Sequence, residues 1–256
     1  MGEAVFDRVA RFYDYEQREF TKDIPFYTEF AKECGGEVLE LACGTGRILV
    51  PMARQGMKVT GLDASEEMLN IAQRKIEHDE NLKRNVTLIR GDIRNFRIDK
   101  EFAMILIAFR SFQCLLTKQE QVFCLEAVHK HLSADGIFVL DLFAPKHDYL
   151  AQEHRIIDLG KFYDEENSVY VTRRAEDKYD LAGQTLHEDR FYEWTDKSGK
   201  AHSQIWSFEL SYLFRYEAEL LLEKCGFVVD AVYGDFSKSP YDYHSGEQIF
   251  VTRKSS

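Results

Sequence analysis

The feature that most constrains this chain is an alternation. Short apolar runs rich in Val, Ile, Leu and Phe stand at 37–41, 57–62, 86–90, 102–109 and 136–143. Segments of helical period lie between them at 46–55, 65–78 and 118–132. Runs of strand length separated by amphipathic helices are the pattern of βαβ units, which need a parallel sheet with helices on both faces. Crossovers of that kind are right-handed, so a doubly wound α/β layer is expected. Ahead of it, residues 4–34 read as one or two amphipathic helices. The second is expected to start at Pro25, since proline suits a first helical turn, and Gly35-Gly36 breaks it.

The texture changes after Pro145. Residues 155–213 carry Ser168–Thr172, Leu186–Trp194 and Gln204–Leu210, which read as antiparallel strands with one wet face. Asp180–Gly183 and Asp196–Gly199 supply turn residues between them. A helix is expected at 215–225, ended by Gly226, then strands near 227–233 and 247–253. No repeat or linker interrupts the chain, so residues 1–256 form a single expected domain. Residues 155–213 are its antiparallel insertion over the active-site mouth.

Bulk properties exclude several classes. With 256 residues, 45% of them hydrophobic, the chain can bury a core without disulfides or metal. Its net charge of -11 disfavours a nucleic-acid partner, because phosphate binding calls for clustered Lys and Arg. The five cysteines are scattered, none in CxxC spacing, which suggests reduced thiols and no zinc site. The first twenty residues have no apolar core of a secretory signal, and the run 102–109 is too short to span a bilayer. A soluble, cytoplasmic protein with no membrane partner is expected.

The strand at 37–41 runs into Ala42-Cys43-Gly44-Thr45-Gly46. Glycines in such a loop let backbone approach a ligand, and the next helix offers free N–H groups. The dinucleotide fingerprint needs a third glycine three residues on, and here that position is Leu49, which disfavours NAD. The next strand ends at Asp63, which can accept from both hydroxyls of a ribose or can cap the helix near Ser65. The third leads to Gly91-Asp92-Ile93, where a carboxylate can meet an adenine amino group or can serve a turn.

LELACGTGR, VTGLDASEEML and GDIRNF stand in the order and spacing of motifs I, post-I and II, and the chain resembles the class I S-adenosylmethionine-dependent methyltransferases, of the bacterial small-molecule type. The resemblance covers about 1–145 and, less closely, 207–253. It implies a Rossmann-like seven-stranded sheet with helices on both faces, the antiparallel insertion before the last helix, and a helical lid over 1–34. It implies S-adenosyl-L-methionine as cofactor, with S-adenosyl-L-homocysteine as product. Glu40 would lie near the amino-acid end, with the Ala42, Gly44 and Gly46 backbone along the methionine moiety. Asp63 and Ala64 would border the ribose, Met68 would pack near adenine, Asp92 and Ile93 would meet the adenine edge, and Ala108 would close the site. Ala42 departs from the common motif, which often has glycine there. Tyr13, in Phe12-Tyr13-Asp14-Tyr15, resembles the lid aromatic that covers the cofactor; hydrophobic packing explains it equally well.

Methyl transfer from a sulfonium needs alignment and desolvation more than a strong catalytic constellation. The segment after the fourth strand, Ala108 to Cys114, lies where open α/β sheets bind ligands. It lacks the Asn/Asp-Pro-Pro-aromatic motif of amide and base-amino enzymes. Candidate acceptor contacts are Arg110, Gln113, Tyr192, Tyr212 and Arg215, and Tyr13 and Tyr212 are the candidates for positioning or proton transfer. The expected reaction is methyl transfer to N or O of a small molecule. The competing readings are a protein or RNA methyltransferase and a non-catalytic cofactor-binding module. No metal is expected, and the only protein partner allowed for is a second copy in a homodimer.

Overall fold

A computed structural model describes residues 6–255, so the first residues of the expected lid, 1–5, lie outside the described residues. The chain enters through a 3-10 turn, Asp7–Val9, then α1 (Ala10–Gln17) and α2 (Asp23–Cys34). Pro25 sits within the first turn of α2, where the helix has no partner for an N–H in any case. Gly35 ends α2 in the left-handed region at φ 66°, its N–H donating to Ala31 O.

The alternation then unfolds as β1 (Val38–Leu41), α3 (Leu49–Arg54), β2 (Val59–Asp63), α4 (Glu66–Ile76), α5 (Glu80–Asn85), β3 (Val86–Arg90), β4 (Phe102–Ile107), α6 (Lys118–His131), β5 (Leu132–Phe143) and α7 (His147–Leu150). Beyond them come β6 (His154–Asp164), β7 (Val169–Asp180), β8 (Thr185–Thr195), β9 (Ala201–Ser211), α8 (Arg215–Lys224), β10 (Phe227–Tyr233) and β11 (Glu247–Lys254). The short α5 escaped the sequence reading. It is six residues long and is held by Asp79, whose carboxylate accepts from the N–H groups of Asn81 and Leu82. β4 ends at Ile107, short of the expected 109, because Phe109 and Arg110 turn left-handed at φ 52° and 68°.

Seven strands form sheet A in the order β3-β2-β1-β4-β5-β11-β10. β1 to β5 run parallel, and β11 is antiparallel to both β5 and β10. β1 is buried on both faces, as a central parallel strand must be. One core, with Tyr27, Met52, Val139 and Ile249, fills the α2–α3 side, and another, with Leu39, Ile105, Phe112 and Leu222, fills the opposite side. Leu49 fits beside β2 because Gly61 faces it: a Cβ on Gly61 would lie 2.5 Å from Leu49 Cδ1. The small residue that a helix–strand contact needs is thus on the strand, not on the helix.

β6 to β9 form sheet B, an antiparallel meander in sequence order. β6 was missed in the sequence because its alternation reverses midway. A bulge between Asp158 and Gly160, with Gly160 at φ 69°, shifts the register. Odd residues from Arg155 to Leu159 are the more covered before it, and Phe162 and Asp164 after it. Part of the inner face of sheet B packs on α1 to form a third core of Val9, Phe12, Val169, Val171, Tyr192 and Trp206. Phe12 stacks on Tyr192 with ring centroids 5.0 Å apart, and burying such a ring stabilises by roughly 1.5–3 kcal/mol. Among the described residues no helix is long and apolar enough to cross a membrane.

Candidate active site

The carboxyl ends of β4, β1, β2 and β3 deliver Ala108, the Ala42–Gly46 loop, Asp63 and Asp92 to one edge of sheet A. Ala42, Gly44 and Gly46 all lie in the left-handed region, at φ 55°, 54° and 78°. That conformation costs a non-glycine residue about 1–2 kcal/mol, so Ala42 holds strain where the commoner glycine would hold none. A Cβ at Gly44 would meet nothing within 4 Å, which leaves its backbone open to a ligand. Asp63 fastens this loop: Oδ2 accepts from Gly44 N–H at 2.7 Å and Oδ1 from Ser65 N–H at 2.8 Å. It does not cap α4. Ser65 does, its hydroxyl accepting from Met68 N–H at 3.1 Å. Ala64 lies between them, exposed, and Met68 is buried in the first turn of α4.

Glu40 is buried in β1, and burial pushes its carboxyl up to about 8 against the opposing pull of the nearby Arg47. Among the described residues its Oε2 has no hydrogen-bond partner. Arg47 is itself anchored two-handed on buried Asp23, at 2.8 and 2.6 Å, and donates to Phe20 O. Its guanidinium lies 5.3 Å from the centre of the Phe20 ring and 4.9 Å from that of Phe109. Tyr13 reaches Arg47 from α1, and burial pushes its hydroxyl up to about 12, so it stays protonated at neutral pH. Asp92 is engaged differently. Arg94 grips both of its oxygens and holds its carboxyl below the usual range, while Ile93 packs beside the second core.

α1 lies across this edge. Asp14 accepts from Thr45 Oγ1 at 2.6 Å and pairs with Lys75 at 2.6 Å, and Asp7 accepts from Ser65 Oγ at 2.5 Å. On its other side Glu16 pairs with Arg190 at 3.3 Å and Arg173 at 3.7 Å, both on sheet B. The helix therefore ties the glycine loop to the antiparallel sheet.

Between the two sheets lies a cavity of about 630 Å³, within the range of small-ligand sites. Tyr13, Phe109, Arg110 and Glu247 line the sheet A side, and Arg155, Arg173, Asp177, Glu188 and Arg190 line the sheet B side. Asp177 and Glu188 face each other across β7 and β8, an unfavourable pairing of like charges. Arg155, 3.6 Å from Asp177, and Arg190, hydrogen-bonded to Glu188 at 2.7 Å, offset it. Burial first, then Glu188, pushes the Asp177 carboxyl up to about 6. Among the described residues Glu16 Oε1, Asp177 Oδ1 and Glu247 Oε2 are buried without a hydrogen-bond partner.

Of the acceptor contacts expected from sequence, Arg110 alone stands in the cavity wall. Gln113 is buried as a clamp, donating to Ser211 O at 3.0 Å and accepting from Phe143 N–H at 2.9 Å. Tyr192 is covered by α1, Tyr212 is buried edge-on to Tyr179, and Arg215 pairs with Glu219 on α8. The sequence reading passed over Glu16, Asp177, Glu188 and Glu247. The alternation of inward residues on β7 and β8 could have found the middle two, but nothing local marks Glu16 or Glu247.

The edge of sheet A fits the sulfonium donor that the resemblance implies. An orphaned, buried carboxylate oxygen at Glu40 suits its ammonium, and Gly44 leaves room for close backbone contact. A family described as "Methyltransferase domain" matches residues 38–136, from β1 into β5. Over nearly its full length the chain is similar to YqeM of Bacillus subtilis (strain 168), named as a methyltransferase, at 27% identity over 255 residues, 98% of this chain and 95% of that one. It is 30% identical over 104 residues, 41% of each chain, to the dTDP-3-amino-3,4,6-trideoxy-alpha-D-glucopyranose N,N-dimethyltransferase of Streptomyces venezuelae. Among solved structures, the CcbJ methyltransferase of Streptomyces caelestis superposes with a TM-score of 0.83 over 99% of both chains at 24% identity, which shows a shared fold.

Proposed function

We propose that this chain, which belongs to the class I S-adenosylmethionine-dependent methyltransferases, methylates a nitrogen of a small polar acceptor held between its two sheets. The observation that carries this reading is the cavity itself. It opens on Tyr13 and Phe109 at one end and is walled by paired buried charges at the other. Buried carboxylate oxygens without partners favour a ligand rich in N–H donors, an amine above all. The amino-sugar acceptor in the name of the Streptomyces venezuelae relative supports the same class. The cavity's volume and the acidic balance of the chain speak against a protein surface or an RNA strand as acceptor.

Bound at the edge of sheet A, S-adenosylmethionine supplies an electrophilic methyl with a neutral thioether as leaving group. In this reading Glu40 receives the ammonium of its amino-acid end. The Ala42, Gly44 and Gly46 backbone runs along that moiety. Asp63 holds the ribose with Ala64 beside it, Met68, Asp92 and Ile93 border the adenine, and Ala108 closes the floor. Asp92 must then share its carboxylate between Arg94 and the ligand. Tyr13, protonated and beside Arg47, presents its ring and hydroxyl where donor and acceptor meet. α1 covers the edge and excludes water, so that the reacting atoms meet in a dry, aligned site.

Labelled-methyl transfer to matched acceptors tests the reading. The pairs are 2-amino-2-deoxyglucose against glucose, and the dTDP-linked 3-aminodeoxysugar against its 3-hydroxyl counterpart. Label is expected on an amine and absent from its hydroxyl partner. Label on hydroxyls, or on RNA or protein in preference to amines, would overturn it.

A further inference from the structure

Glu247 opens β11, and Asp141 lies in β5. The register sets Glu247 opposite Phe143 and Ile249 opposite Asp141, so the two carboxyls are diagonal neighbours on one face of sheet A. They sit at the carboxyl edge of β5, beside the turn at Phe109 and Arg110. Asp141 is buried, and its Oδ2 is fully used, accepting from Phe109 N–H at 2.9 Å and Tyr27 O–H at 3.1 Å. Its Oδ1, like Glu247 Oε2, has no hydrogen-bond partner among the described residues. Arg110 reaches Glu247 Oε1 at 3.4 Å, a long contact that leaves the carboxylate only loosely held. Glu247 is in the wall of the cavity at the end shared with Tyr13 and Phe109. The consecutive left-handed residues Phe109 and Arg110 are the kind of strained backbone that persists where function requires it.

We infer that Glu247 is the carboxylate that receives the acceptor's ammonium and takes a proton from it, with Asp141 and Arg110 as its positioning residues. This rests on the nitrogen reading of the cavity. One N–H bond breaks, its electron pair stays on nitrogen, and the proton passes to a Glu247 oxygen. The freed pair then forms the N–C bond as the donor's C–S pair leaves on sulfur. The methylated nitrogen carries the positive charge, and Glu247 returns its proton to water after product leaves. The charged groups that face Glu247 are Arg110 after β4, Lys22 before α2, Lys146 after β5, and Asp141 on β5, which Tyr27 of α2 reaches in turn. Burial pushes Glu247 above the usual carboxylate range against the opposing pull of Arg110, and Asp141 is raised by burial and then by Glu247. A proton acceptor tuned upward in this way is a stronger base than an ordinary carboxylate.

The experiment measures kcat and KM against pH with the amine of the matched pairs that the wild type labels fastest. Wild type is expected to give a bell in kcat/KM. Its low-pH limb belongs to the carboxyl and its high-pH limb to the acceptor's ammonium. Glu247→Gln is expected to lower kcat/KM at pH 7 by about 100-fold or more, the usual range for a lost general base. Its profile should then rise through the ammonium pKa with no high-pH fall. Asp141→Asn should cost only a few-fold, roughly, and move the low-pH limb to lower pH, because it removes a like charge. Affinity for S-adenosylhomocysteine is the folding control. Should Glu247→Gln fail to hold it, Glu247→Asp, which keeps a carboxylate, is expected to keep the bell at reduced height. An unchanged bell in Glu247→Gln overturns this inference alone. A wild type that labels no amine overturns the nitrogen reading and the inference with it.

Discussion

On sheet A the ligand-facing edge is mostly backbone. Ala42, Gly44 and Gly46 turn left-handed there, and Asp63 spends its carboxylate on the Gly44 and Ser65 amides. On sheet B it is side chains: Arg155, Asp177, Glu188 and Arg190 project from long antiparallel strands onto the cavity. Backbone edges suit a ligand that is always the same. A lattice of buried charges can be re-specified by single substitutions without disturbing the strands that carry it. In the proposed reading the methyl donor meets the backbone edge of sheet A, and the acceptor, with its nitrogen at Glu247, meets the charges of sheet B, the two joined by α1.

The sharpest way to break the contrast is to remove one charge from the lattice. Arg190 compensates both Glu188 and Glu16 and lies 5.2 Å from the centre of the Trp206 ring. Arg190→Met takes from Glu188 the arginine it pairs with and leaves Glu16 only the longer contact to Arg173 at 3.7 Å. It should cost about 3–5 kcal/mol of stability by denaturant titration, as breaking a buried pair does. A loss below about 1 kcal/mol, the range of exposed ion pairs, would mean that sheet B does not depend on its lattice.

On sheet A the corresponding probe is pH. The Glu40 carboxyl titrates at about 8 in the folded chain against 4.5 ordinarily. The folded state therefore binds more protons than the unfolded state between those values, and stability should fall as pH rises through that window. Tm followed from pH 5 to 8.5 checks the sign. If Glu40 meets the donor's ammonium, affinity for S-adenosylhomocysteine should rise by up to about tenfold per pH unit below 8. Calorimetry in buffers of different ionisation enthalpy should then show proton release. A pH-independent affinity would remove Glu40 from the donor site.

The smallest expected effect is at Ala42. Ala42→Gly relieves a left-handed alanine but frees the unfolded chain, and the two should net to a gain of under about 1 kcal/mol. A marked loss of Tm would mean that the methyl group packs, and that strain is not the issue there.

The same contrast explains what the sequence made legible. The central parallel strands, buried on both faces, leave uninterrupted apolar runs, and tight turns leave glycines and acids, so these strands, the edge strand β3 and their loops could be read directly. Sheet B hid β6 behind the bulge at Gly160, which reverses the inward parity of the strand. The cavity wall is harder still. Glu16, Asp177 and Glu247 meet only through the packing of α1, β7 and β11; the inward parity of β7 marks Asp177, while Glu16 and Glu247 each look like a solvated acid in their own segments. Gln113, Tyr192, Tyr212 and Arg215 had the residue types of an acceptor site, yet their local roles are clamp, core, core and helix pair.

The most direct test of the two-sheet account is calorimetric binding of S-adenosylhomocysteine to wild type, Asp63→Ala and Asp177→Asn at one pH. Asp63→Ala removes charged hydrogen bonds at the glycine loop and should weaken binding by about 100-fold. Asp177→Asn, across the cavity on sheet B, should leave it within about twofold, since distant sites act independently. Equal weakening in both variants, or none in Asp63→Ala, would contradict the placement of the donor on the sheet A edge and of Asp177 on the acceptor's side of the cavity.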